Sequence, residues 1–232
     1  MNASPRTARL AGVAYLINGV SSMLGLVCAP LVPGGAAALA RAVAMPGSRF
    51  SVAIVADLTA EISSIVLVLL LYRLLREIHE VQAVLMAVLL VVATPISFVV
   101  SLSDVAARIF SVDAATIASL GTGPAGAMSR VFVQLHVQAV YGLELFWGLW
   151  LLPFGLLAIR SRFLPRLLGL LLIVACGAYL THGLFALLVP GERAQAFELA
   201  AMAGRAAGEL PMIFWLLVWG VRPARGAPAS LR

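Results

Sequence analysis

Val81-Gln-Ala-Val-Leu-Met-Ala-Val-Leu-Leu-Val-Val-Ala-Thr-Pro-Ile-Ser-Phe-Val-Val-Ser-Leu102 carries no charged side chain. At a helical rise of about 1.5 Å per residue it reaches about 30 Å, the thickness of the hydrocarbon core of a bilayer. Working outward, five further apolar stretches are long enough to do the same: 9–31, 50–75, 131–159, 164–189 and 197–221. Over all 232 residues, 62% are hydrophobic and 11% charged, whereas about a quarter of a soluble domain is charged. So little polar surface cannot face water on all sides, and lipid is the solvent for most of the exterior. The sequence predicts an all-α fold: six transmembrane helices in a single membrane-embedded domain, residues 1–232, with a short flexible cytoplasmic tail at 223–232.

The net charge is +6, and every basic residue is an arginine. These arginines stand in ones and twos between apolar runs and assemble no basic face, so nucleic acid is not an expected partner. Their distribution fits the positive-inside rule. Arg6, Arg9, Arg73, Arg76, Arg160, Arg162, Arg166, Arg222, Arg225 and Arg232 fall to one side, against Arg41, Arg49, Arg108, Arg130, Arg193 and Arg205 on the other. The richer set also occupies the shorter connections. Both termini are therefore expected in the cytoplasm, and the first stretch is read as a retained span, being too long for the apolar region of a signal peptide.

The connections at 73–80 and 160–166 read as tight cytoplasmic turns, with Pro165 opening a helix. Residues 103–130 form a longer link. Within it Gly121-Thr-Gly-Pro-Ala-Gly126 marks an irregular segment. Val105, Ile109, Val112 and Ile117 recur at near-helical spacing, so either the third helix runs on past the membrane or a short helix lies on the outer surface. Cys28 and Cys176 read as inert thiols, with no CxxC beside them. No phosphate loop, HExxH, GxSxG or dinucleotide glycine motif is present. The three histidines lie on separate segments, so no metal site and no cofactor is expected.

Charged groups inside a bilayer are costly, about 2.5–3.5 kcal/mol each on insertion scales, and those that persist are the functional candidates. Asp57 and Glu61 share one face of the second span, four residues apart, with Ser64 continuing it. Two carboxylates in a dry site share a proton readily, which suits acid catalysis or proton relay; the plainer alternative for Asp57 is headgroup water or Arg49. In the fourth span Gln134, Gln138 and Tyr141 form a polar stripe with Glu144 beside it and His136 pointing elsewhere. Such a stripe must face other helices or a cavity. In the sixth span Arg205 and Glu209 stand at pairing distance, Gly204 and Gly208 make a GxxxG face, and Pro211 follows. A cluster of Glu61, Glu144 and Glu209 is the alternative to an internal Arg205–Glu209 pair. His182 reads as an interfacial residue, and Asp104 with Arg108 as a surface ion pair.

Several elements in order resemble a known family. They are Arg6-Thr-Ala-Arg-Leu-Ala-Gly-Val-Ala-Tyr15, Ala56-Asp-Leu58, Leu71-Tyr-Arg-Leu-Leu75, Leu135-His136, Tyr141-Gly142, Phe146-Trp-Gly148, Arg160-Ser-Arg-Phe-Leu-Pro-Arg-Leu-Leu-Gly169, Pro190-Gly191 and Gly208-Glu209. Together they look like a bacterial family of multi-pass membrane proteins, domain-of-unknown-function family four-three-eight-six. The resemblance implies architecture and a bacterial inner membrane, and no chemistry. The residues themselves favour a binding or enzymatic site for a lipid or other hydrophobic small molecule, with Asp57, Glu61, Gln138, Tyr141, Glu144 and Glu209 as ligand-binding candidates and no catalytic role assigned. A small transporter or channel component for protons or cations stays open. So does a structural or regulatory subunit, with a helix partner or a second copy packed on the Gly204/Gly208 face.

Overall fold

A backbone in lipid must satisfy its own polar groups, and this chain does so with helices alone. The computed structural model describes residues 4–28, 49–189 and 192–221, the side chains of 192–196 excepted. Among these residues the elements are α1 (Pro5–Cys28), α2 (Arg49–Leu75), α3 (Glu80–Val112), α4 (Ala114–Leu120), α5 (Thr122–Leu149), α6 (Leu151–Arg160), α7 (Arg166–Leu188) and α8 (Glu192–Val218), with no strand. Six spans are long and apolar enough to cross a membrane, α5 and α6 together forming one of them. The expected end of the first span at 29–31, the 223–232 tail and Pro190-Gly191 lie outside the described residues.

Two boundaries differ from the sequence reading. The Gly121–Gly126 segment is not irregular. Gly121 turns the chain at φ +83°, and α5 begins at Thr122. Pro124 falls in the first turn, where its missing N–H leaves no helical bond unmade. The fourth span is also two helices, divided at Trp150. Pro153 accounts for the break: it has no N–H for the Leu149 carbonyl, and its ring crowds that same carbonyl. At the other end of this region the link is also helical. α3 runs on to Val112, and α4 follows as a separate helix with no buried residue. The Asp113 side chain caps α4 by accepting from the Thr116 N–H at 2.8 Å, and hydrogen bonding from Thr116, its side chain first and then this N–H, lowers the carboxyl's pKa from its ordinary value.

The helices form a ring in chain order. α1 packs on α2, α2 on α3, α3 on α5 and α6, these on α7, α7 on α8, and α8 closes on α1. The start of α1 and the residues after α8 meet at one end of the bundle, where a Cβ on Gly220 would come 3.3 Å from the Pro5 carbonyl; we call this the near end. Outside the ring stand bare apolar side chains such as Leu69, Val99, Leu167 and Leu188, the last 77% exposed. Such a surface is stable only against lipid. The chain is a multi-pass membrane protein.

The ring interior is divided by polarity. Its near half is filled by Leu67, Leu71, Leu75, Met86, Phe154, Leu157, Leu172, Met212 and Leu216, all buried in one continuous core. Its far half holds buried Ser97, Ser101, Asp104, Glu144 and His182. The Gly204/Gly208 face is not free for another protein: it packs against α7, where a Cβ on Gly208 would come 2.5 Å from both the Leu171 carbonyl and the Ala175 side chain. Gly208→Ala is expected to lower stability by about 1–3 kcal/mol through overpacking, read as earlier thermal unfolding in detergent micelles.

Candidate functional site

α5, α7 and α8 come together around Glu144. α7 approaches α5 closely because Gly183 has no side chain; a Cβ there would come 2.7 Å from the Tyr141 carbonyl and 3.1 Å from the Glu144 Cβ. The residue before it, His182, is thereby brought in with Nδ1 2.7 Å from Glu144 Oε2. From α8, Arg205 Nη1 donates to Glu144 Oε1 at 2.8 Å. Glu144 is 3% exposed and His182 2%, so the carboxylate has exchanged water for one imidazole and one guanidinium. The Tyr141 ring stands edge-on to His182 at 5.7 Å, and Phe197 stacks on its other side at 6.3 Å.

Arg205 links this cluster to a second carboxylate. Its guanidinium carbon sits 4.9 Å from the centre of the Tyr179 ring. The Tyr179 hydroxyl donates to Glu209 Oε1 at 2.9 Å, and the Tyr15 hydroxyl donates to Glu209 Oε2 at 2.5 Å. Glu209 thus accepts on both oxygens from two phenols on two different helices, with Arg205 as a nearby positive charge. Two Arg205 nitrogens, Nε and Nη2, are buried and have no partner among the described residues. Trp150 closes the network toward the near half, edge-on to Tyr15 at 5.9 Å and stacked on Phe154 at 5.6 Å. The chain break at Trp150 therefore places a bulky floor under the polar groups.

A second group lies farther out. Asp57 of α2, Asp104 of α3 and His136 of α5 each offer a ligand atom, all within 4.8 Å of one another. His136 Nδ1 is 3.0 Å from Asp104 Oδ2 but off the line of a hydrogen bond. Asp57 rests its carboxylate in the space that a side chain on Gly25 of α1 would occupy. Glu61, one turn deeper on α2, meets the Ser97 hydroxyl of α3 and senses Asp57. Counted from the near end at about 1.5 Å per residue, the Glu209 network lies at about 14–20 Å, the Glu144 cluster at about 20–24 Å, and the Asp57 group at about 27–36 Å. A hydrocarbon core of about 30 Å that began at the near end would contain the first two and have its far boundary at the third.

The same groups place the chain among known proteins. A family described as Domain of unknown function (DUF4386) matches residues 10–220, from before Tyr15 to beyond Glu209. The chain belongs to the DUF4386 family. No curated protein and no solved structure matches it.

Against this DUF4386 fold, the site residues expected from sequence separate into two groups. Glu144, Glu209 and Tyr141 belong to the inner networks, while Asp57 and Glu61 belong to the far one; Glu61, Glu144 and Glu209 do not make one cluster. Gln138 is exposed, as is Gln134. They need no interior partner, because the 39-residue span α5–α6 is longer than the hydrocarbon is thick and carries them toward its far boundary. Arg205 pairs with Glu144 and not internally with Glu209, and it is a half-buried group of mid-span α8 rather than a loop charge. His182 is not interfacial but buried. Asp104 is 5% exposed and faces His136, while Arg108 donates to Ser51 Oγ at 2.6 Å, so the expected surface ion pair does not form. The histidines do lie on separate segments, yet one histidine with two aspartates brings together donor atoms that could hold a metal, a grouping that histidine spacing alone could not show. Tyr15 and Tyr179 were not among the expected site residues. Their signal was present, since a tyrosine in mid-span needs a partner for its hydroxyl.

Proposed function

We propose that this DUF4386 protein binds an amphiphile with an anionic head group, drawn from the bilayer into the far half of the ring. The carrying observation is Arg205. One of its nitrogens is held by Glu144, while Nε and Nη2 are buried without a hydrogen-bond acceptor among the described residues. A buried donor left unmade costs about 1–3 kcal/mol, and a carboxylate or phosphate oxygen is the acceptor that would remove this. Tyr141, His182 and Phe197 offer ring faces beside it for an apolar body. The bulky near half supports binding over passage through the ring, since apolar side chains fill it. On this reading the site lies in a bacterial inner membrane with both termini cytoplasmic. The arginine asymmetry supports this, and it is larger once Arg205, in mid-span of α8, is left out of the loop charges.

Mass spectrometry of small molecules retained in mild detergent tests the reading. Wild type is expected to keep one defined anionic amphiphile, and Glu144→Gln with Arg205→Gln together should reduce it at least about tenfold, because the pair removes the cation without stranding a charge. Identical bulk lipids in both preparations would sink the proposal.

A further inference from the structure

The Asp57 group is separate from the Arg205 site, and its chemistry is of a different kind. Three helices converge on it with three donor atoms, one nitrogen and two carboxylates, all within 4.8 Å of one another. Two of them, His136 Nδ1 and Asp104 Oδ2, are 3.0 Å apart. Ligands of a tetrahedral ion at about 2.1 Å stand about 3.4 Å from each other, so small side-chain rotations bring the trio into a coordination shell.

Three observations separate this arrangement from an ordinary ion pair. First, His136 Nδ1 is buried, and its neighbour Asp104 Oδ2 at 3.0 Å lies off the line of an ideal hydrogen bond. Second, Asp57 occupies a cradle formed by Gly25, which any Cβ would fill. Third, the group is rich in acid: Asp57 and Asp104 meet there with Glu61 one turn away, while Arg108 donates to the neutral Ser51 Oγ at 2.6 Å and Arg49 to the Val27 carbonyl at 3.1 Å. Carboxylates gathered at low dielectric repel unless a cation joins them. A divalent ion with two aspartates gives a neutral unit that can sit at the boundary of the hydrocarbon.

We infer that Asp57, Asp104 and His136 bind one first-row divalent cation of the zinc class. The imidazole selects against calcium and magnesium, which take oxygen ligands. Three protein ligands leave a tetrahedral ion one open position, facing the far side of the membrane.

The test uses full-length, tag-free protein in detergent, stripped with chelator and reloaded with zinc. Elemental analysis is expected to return about one zinc per chain, and X-ray absorption to show a first shell of one nitrogen with oxygens and no sulfur. His136→Gln should weaken zinc binding by more than the tenfold-to-hundredfold or so that follows loss of a mere supporting residue. Gly25→Ala keeps all three ligands yet should weaken binding too, by displacing Asp57. His79→Gln, which alters the near-end cap of α3, should leave zinc binding unchanged. Wild type that retains no zinc, manganese or iron overturns the inference. So does a sulfur-containing shell, or a His136→Gln protein that binds zinc as wild type does. The absorption measurement needs wild type alone, so a variant that fails to fold leaves the question decided.

Discussion

Arg205→Leu is expected to destabilise the folded protein by about 3–5 kcal/mol, measured by reversible denaturant unfolding in micelles. The reason lies with the residue left behind. Glu144 is 3% exposed, and Arg205 Nη1, at 2.8 Å, is the permanent cation on its carboxylate. Without it Glu144 keeps only His182, which meets Oε2 while Oε1 loses its partner.

The partner substitution gives the prediction its direction. Glu144→Met alone should be nearly as damaging, since it strands the guanidinium in the same place. Combining Glu144→Met with Arg205→Leu should recover most of the loss, to within about 2 kcal/mol of wild type, because a buried ion pair contributes little net stability beyond what apolar packing supplies. The residual loss is the His182 imidazole, left without its acceptor. If the double variant is as unstable as the sum of the singles, Glu144 and Arg205 act independently and the cluster is wrongly drawn. If Arg205→Leu alone costs less than about 1 kcal/mol, the pair is not buried as described.

The fold was readable because the constraint behind it is one-dimensional. A span needs about 20 apolar residues in a row, and that can be counted along the chain. Val81 to Leu102 satisfies it without reference to any other helix. The misread boundaries came from weighing residues without their helical position. Gly121 to Gly126 looked irregular by composition, yet Pro124 falls in the first turn, where proline is tolerated. The break at Trp150 was written in Pro153, three residues on, but a single apolar run of 131–159 hid it.

The site is three-dimensional, and periodicity does not say which helices touch. Arg205 and Glu209 at i, i+4 permit an internal pair, and nothing local reveals that Arg205 reaches a residue 61 positions away. His182 seemed interfacial because it is near the end of an apolar run; its burial depends on Gly183 admitting α5. Asp104 and Arg108 seemed a surface pair for the same kind of reason, while α3 in fact carries Asp104 inward to His136. The individual polar residues were legible by their intrusion into apolar runs. Their grouping was not, since Asp57, Asp104 and His136 come from three spans and meet only when the ring closes.

The second large effect concerns Glu209, and it should be nonadditive. Tyr15→Phe and Tyr179→Phe each delete one hydroxyl aimed at the same carboxylate, at 2.5 and 2.9 Å. Each single change is expected to lower stability by about 1.5–3 kcal/mol, the range for a hydrogen bond to a charged group. In either single variant the other phenol still holds one oxygen, and Arg205 still screens the charge. In the double variant neither oxygen has a hydroxyl donor, and the whole desolvation of the carboxylate is exposed. The combined loss should exceed the sum of the singles by about 0.5–3 kcal/mol, the usual coupling of groups that share a partner. Adding Glu209→Met to the double variant removes the stranded group and should restore part of the loss, with Arg205 still held by Glu144. Strict additivity would mean that the two hydroxyls are satisfied elsewhere and that Glu209 does not join α1 to α7. A further drop on adding Glu209→Met would mean that Arg205 depends on Glu209 and not on Glu144, which would move the centre of the network one turn toward the near end.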